Sequence, residues 1–172
     1  MKLLKTAQRP RRQNGDEHRL LVGWKEWCTL PDLHLPAIKA KLDTGARTSS
    51  LHAYAIETYH RHGELWVKFK LHPVQRNNAI HIQRSAKVID RRNVISSTGH
   101  KEYRFVIETC LLLAGKKHKI ELTLANREKM IFKMLLGREA LKGVVIIDPM
   151  KAHQLGRLTR DQVETMYTER QA

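Results

Sequence analysis

Between residues 64 and 71 apolar side chains recur at every second position, with Leu65, Val67, Phe69 and Leu71 alternating with other residues. A period of two lines one face of an extended strand and conflicts with a helix, whose faces repeat every 3.6 residues. The same alternation returns at Ile120, Leu122 and Leu124. Turn formers punctuate these runs: Pro31, Asp32 and Pro36, then His62-Gly63, then Gly115-Lys116. Many short strands between such signals predict a mainly β chain with small helices, folded as a closed or partly closed β-barrel.

Strands are expected over LLVGWKEWCTL, Ala37 to Leu42, Leu51 to Tyr59, LWVKFKL, Ala86 to Ile89, Tyr103 to Leu113, Ile120 to Leu124 and Phe132 to Leu136. The segments 103–113 and 120–124 read as an antiparallel pair. Residues 137–142 predict a helix of one or two turns closed at Gly143, followed by the strand VVIID. Leu135-Leu136 and Val144 to Ile147 are read as buried. Thr159 with Gln162 three positions later has the form of a capping box for a helix running to about Thr168.

A chain of 172 residues suits one sizeable core with tails. We divide it into a basic N-terminal arm over 1–19, a β-barrel domain over 20–158 and a helical tail over 159–172. No apolar run approaches the roughly 20 residues that cross a bilayer, and the first residues lack the form of a secretory signal. A cytoplasmic protein without membrane contact is the expectation. Cys28 and Cys110 lie in apolar stretches and read as buried, reduced thiols. The net charge of +15 draws polyanions such as RNA, ribosomal surfaces or acidic peptides. Arg91-Arg92 and Lys116 to Lys119 read first as solvated turns and second as recognition surface.

Residues 39–52, KAKLDTGARTSSLH, carry the strongest chemical signal. Asp43 after a strand is usually a turn residue. In an aspartic-peptidase site, the carboxylate of Asp43 points into a cleft, Thr44 holds the loop through its hydroxyl, and Gly45 lets the main chain come close. Ala46 and Arg47 follow as substrate contacts. The Arg47 guanidinium suits an acidic side chain or terminal carboxylate, and serves equally well in a structural ion pair.

Several longer stretches, GWKEWCTLPDL, PAIKAKLDTGARTSSLHA, HPVQR, DRRNVISSTG, ELTLANREKM and MLLGREALKG, together resemble a bacterial retropepsin-like family. That family was historically labelled ATP-dependent zinc proteases, and its members are encoded beside ligases that add glutamate to a ribosomal protein. The resemblance implies a retropepsin-like (acid protease) barrel. It assigns Asp43, Thr44 and Gly45 to the catalytic loop and Leu135, Leu136, Gly137 and Arg138 to the segment that supports it. Ser96, Ser97, Thr98 and Gly99 would take the place of a substrate-binding flap.

The chain holds one such motif where a dyad needs two carboxyls. The expectation is therefore a homodimer sharing one proton between two aspartates, or a second acid from Glu139. The leading reading is an aspartic endopeptidase cutting peptide bonds with water, on acidic or glutamate-rich protein tails. A non-catalytic peptide- or ribosome-binding module on the same fold is the alternative, and a metal-dependent hydrolase the third. No cofactor is expected. No H-E-x-x-H or phosphate-loop motif occurs, and His60-x-His62 lacks a closed ligand set, so no metal is assigned.

Overall fold

The computed structural model describes residues 19–95 and 99–169. Among the described residues eleven strands and two α-helices follow one another, with a 3-10 turn at Pro31–Leu33 after the second strand: β1 (Leu20–Gly23), β2 (Lys25–Leu30), β3 (Leu35–Leu42), β4 (Ser49–His52), β5 (Tyr54–Arg61), β6 (Glu64–Leu71), β7 (Ile82–Ile95), β8 (Lys101–Leu113), β9 (Lys116–Ala125), β10 (Met134–Leu136), α1 (Arg138–Leu141), β11 (Val145–Asp148) and α2 (Arg160–Thr168). The fold is mainly β with short helices.

Nine strands form one sheet in the order β2-β3-β10-β4-β9-β8-β7-β6-β5, and β2 also meets β8 through Thr29 and Leu112. That extra contact turns six strands, β2, β3, β10, β4, β9 and β8, into a ring. The ring is joined there by a single residue pair, so the expected barrel is present as a ring of strands and not as a fully closed one. β7, β6 and β5 extend the sheet beyond it. Val67, Phe69 and Leu71 on β6, and Ile120, Leu122 and Leu124 on β9, are buried, which is where the period of two placed them.

Two hairpins show why their turns are short. His62 and Gly63, at φ 53° and 77°, join β5 to β6, and Ala114 and Gly115, at φ 55° and 72°, join β8 to β9. Two successive left-handed residues match the twist of antiparallel strands.

Several expectations change. Pro36 lies inside β3 and is not a turn, because the β2–β3 register shifts between Cys28 and Leu30. An irregular pairing is where a strand tolerates a residue without an N–H, and Thr29 Oγ1 donates to the Pro36 carbonyl at 2.8 Å. The stretch 51–59 is two strands, β4 and β5. Ala86 to Ile89 is the middle of the much longer β7. Arg91, Arg92 and Lys116 to Lys119 belong to β7 and β9 and are not turns. In β11 only Val145 is buried and Ile146 is exposed, because β11 pairs with β1 alone in a two-stranded parallel sheet.

Cys28 and Cys110 are buried and free, and burial pushes the Cys28 thiol up to about 12. Thr159 and Gln162 make the reciprocal capping box of α2. That helix buries Val163 and Tyr167, and Tyr167 donates to the Ala37 carbonyl at 2.6 Å. No helix among the described residues is long and apolar enough to cross a membrane.

Candidate functional site

The Asp43 loop leaves the end of β3, where β10 lies parallel to it with Leu136 opposite Leu42. The next amide continues the ladder, Asp43 N–H donating to the Leu136 carbonyl at 2.8 Å. The loop is then clamped to the residues after β10. Arg138 N–H donates to the Ala46 carbonyl at 2.8 Å and Glu139 N–H to the Arg47 carbonyl at 3.2 Å. Gly137 N–H donates to Ser49 Oγ at 3.0 Å. The Arg138 guanidinium donates to the carbonyls of Thr44 and Gly45 at 2.8 and 3.0 Å.

Gly137 has to be glycine for a steric reason. A Cβ there would sit 2.7 Å from the Arg47 and Thr48 backbone, closer than nonbonded atoms approach. Leu135, Leu136, Gly137 and Arg138 thus lie against the Asp43 loop, which runs through Thr44, Gly45, Ala46 and Arg47. Gly99 lies in the turn between β7 and β8. Ser96, Ser97 and Thr98, like residues 1–18 of the arm and 170–172 of the tail, lie outside the described residues.

The carboxylate of Asp43 is one-quarter exposed and fully engaged. Oδ1 accepts from the amides of Gly45 and Ala46 at 2.9 and 3.2 Å, and Oδ2 pairs with Lys41 Nζ at 3.3 Å. Partial burial pushes this carboxyl up. The Lys41 ammonium and the two amides outweigh that and hold it below the usual carboxylate range. An ionised aspartate among donors binds cations and positions N–H groups. Acid catalysis would instead need a carboxyl that keeps its proton.

Glu139 lines a cavity of about 560 Å³ with Arg47, Thr48, Ser49, Arg92, Lys119, Ile120, Glu121 and Ala140. Within that lining Arg92 is committed to Asp90 and Glu121 at 2.6 and 2.5 Å, and Lys119 to Glu108 at 2.7 Å. The exposed Arg47 guanidinium has no such partner among the described residues. Beside the Asp43 loop the cavity thus presents the guanidinium of Arg47 and the carboxylate of Glu139, neither in an ion pair among the described residues.

A second group of polar side chains was not assigned a role from sequence. His52 is fully buried and stacks on Tyr54 and His72, with ring centroids 5.7 Å apart in each case. The Tyr54 hydroxyl and His72 Nε2 are 3.0 Å apart. His52 Nδ1 accepts from the Arg127 amide at 3.0 Å, which fixes the neutral tautomer with the proton on Nε2. Burial, with Lys133, His72 and Arg127 adding their charge, pulls His52 down to about 4. Burial also lowers Arg127, whose guanidinium feels Arg104 against it and Asp43 in its favour. The sequence signals were HPVQR, read only as a landmark, and Lys133, read only as part of the strand Phe132 to Leu136. His60 and His62 are exposed, and no group of three or more His, Cys, Asp or Glu side chains among the described residues is placed to hold a metal.

Comparison with known proteins gives a family-model match over residues 21–156, described as RimB-like, retropepsin-like aspartic endopeptidase RimB. The chain is 48% identical over 149 residues to a probable alpha-L-glutamate ligase from Parasynechococcus marenigrum, covering 87% of this chain and 32% of that protein. It is 46% identical over 151 residues to a protein of the same name from Shewanella halifaxensis, covering 88% and 33%. The chain therefore spans about a third of the length of the curated relatives it matches. A crystal structure of a protein of unknown function from Legionella pneumophila superposes with a TM-score of 0.64 at 26% identity, covering 78% of this chain and 97% of that one.

These relatives correct the expected activity. Curated proteins 45–48% identical to this chain carry the name of a glutamate ligase and not of a peptidase, which overturns the expected aspartic endopeptidase and its water-mediated hydrolysis of peptide bonds. Within the single chain, the nearest charged partner of Asp43 is Lys41.

Proposed function

The chain belongs to the RimB-like family of retropepsin-like proteins, and from that premise we propose that it is a peptide-binding module holding a glutamate-rich, acidic protein tail in the cavity beside the Asp43 loop. On this reading the six-strand ring is a partly closed retropepsin-like barrel whose former catalytic loop serves as one wall of a recognition site.

The observation that carries the proposal is Arg47. Its guanidinium is exposed, lines the cavity and has no ion-pair partner among the described residues, while the neighbouring cations are already neutralised. A planar guanidinium engages a carboxylate through two parallel hydrogen bonds. The net charge of +15 steers such a ligand toward the protein. The name of the relatives, probable alpha-L-glutamate ligases, supplies a chemical class to match: glutamate. Catalysis of ligation is not assigned to this chain's residues, since the match spans about a third of those relatives.

The test is a fluorescence-anisotropy titration of the chain with a labelled peptide ending in four glutamates and a control ending in four glutamines. The acidic peptide should bind with an affinity that falls as salt rises. Arg47→Glu should weaken it by about tenfold or more, the scale of one charge-assisted hydrogen-bond pair. Equal binding of the glutamine control, or an unchanged affinity in Arg47→Glu, would remove the proposal. A ribosomal RNA fragment that displaces the peptide and ignores Arg47→Glu would put RNA in its place.

A further inference from the structure

A second cavity, of about 440 Å³, shares no lining residue with the one beside the Asp43 loop. Its polar wall is Arg76, Lys129, Lys133, Asn78 and Glu128. Lys133 is only 3% exposed, and lysine is almost never buried to that degree without a paired charge. Its ammonium donates to the backbone carbonyl of Glu128 at 2.9 Å. That bond uses one of three N–H groups and neutralises nothing.

Among the described residues Arg76 and Lys129 form no ion pair either. Burial pulls the Lys133 ammonium down, the Glu128 carboxylate opposes this and the Arg127 guanidinium adds to it. Asn78 donates to Glu128 Oε1 at 3.4 Å, which orients the single carboxylate of the lining. Three cations and one anion therefore face a space large enough for an amino acid and its water.

We propose that this cavity binds a free amino dicarboxylate of the L-glutamate type, its two carboxylates on Lys133, Arg76 and Lys129 and its ammonium on Glu128. The signs are complementary: the two negative groups of the ligand face the three cations of the wall, its one positive group faces Glu128, and one cation is left to solvent. A dicarboxylate without an amine leaves Glu128 facing like charge. A monocarboxylate leaves two cations unmatched. The site does not depend on the peptide site, and Arg47→Glu leaves it unchanged.

Isothermal titration calorimetry of the full chain with L-glutamate, glutarate, L-glutamine and inorganic phosphate tests this. L-Glutamate should bind saturably, and the other three should be weaker by about tenfold, the scale of one charge-assisted contact. Lys133→Met should abolish binding, and Glu128→Gln should bring L-glutamate down to the level of glutarate. Should Lys133→Met fail to fold, the exposed pair Arg76→Ala and Lys129→Ala serves instead, with a loss of similar size. No saturable binding of L-glutamate, equal binding of phosphate or glutarate, or binding unaffected by these substitutions would each overturn the proposal.

Discussion

Lowering the pH should unfold this protein through His52. The imidazole has no solvent exposure, its Nδ1 is occupied by the Arg127 amide, and Lys133, Arg127 and His72 all oppose a positive charge beside it. Its pKa falls from 6.5 to about 4 in the folded chain, so the folded state keeps it neutral at pH values where the unfolded state binds a proton. The sign follows. The stability associated with the neutral ring is fully present above pH 6.5, drains away as pH falls toward 4, and has no more to lose below that. The whole shift corresponds to roughly 3 kcal/mol at 1.36 kcal/mol per pKa unit, of which roughly 2 kcal/mol is gone by pH 5. His52→Asn isolates the effect, because its side-chain oxygen can still accept from the Arg127 amide and cannot titrate. Urea unfolding followed by tryptophan fluorescence at pH 7.5, 6 and 5 gives both stability curves. The variant should be the less stable protein at pH 7.5, having lost the stack on Tyr54 and His72. Between pH 7.5 and 5 the parent should lose roughly 2 kcal/mol more than the variant. Parallel curves would refute the argument, since every other titrating group is common to both proteins.

Three further outcomes follow from contacts already described or adjacent to them. Gly137→Ala drives a Cβ to 2.7 Å from the Arg47 and Thr48 backbone; it should cost about 1–3 kcal/mol in urea unfolding and weaken the acidic peptide by displacing Arg47. Glu26 is fully buried and accepts from the amides of Gly23, Gln154 and Leu155, so Glu26→Ala should lower stability by about 3–5 kcal/mol, as removal of one side of a buried charged network does, with Glu26→Gln recovering part of it. Asp43→Asn keeps an oxygen for the Gly45 and Ala46 amides and loses only the half-exposed Lys41 pair, worth less than about 1 kcal/mol. The same variant should bind the acidic peptide more tightly, because a negative charge beside the cavity is removed, and weaker binding in the anisotropy titration would argue against a peptide seated next to this loop.

What sequence could reveal divides along the range of the interactions. Alternation on β6 and β9, the two left-handed turns and the Thr159 capping box are local, and local patterning specifies them before any tertiary contact forms. Pro36 was misplaced because its tolerance depends on a register shift in the partner strand β2. The exposed Ile146 was misplaced because burial of β11 depends on how many neighbours it has, and it has only β1. Arg92 and Lys119 look like solvated turn charges until β7 and β9 bring them to one cavity with Arg47. His52, Tyr54 and His72 are spaced along β4, β5 and the end of the β6 segment, and no periodicity in the chain announces that their rings stack.

Asp43 shows the same division within one residue. Its loop is written in adjacent letters, Asp-Thr-Gly-Ala, and the backbone amides of Gly45 and Ala46 complete it within three residues. The use of the carboxylate is decided by what stands opposite its second oxygen, and here that is the ammonium of Lys41, two positions back and pointing to the same side of the strand. A second carboxyl in that place would raise the proton affinity of the pair and make an acid; a lysine lowers it and makes a fixed anion. The fixed anion belongs to the loop whose next residues bring Arg47 to the wall of a recess, and under the proposed function that guanidinium presents a donor fork to a carboxylate while Asp43 holds the backbone that carries it. Under the proposed function the motif is the scaffold of a binding site, and the chemistry of that site lies in the arginine that follows it.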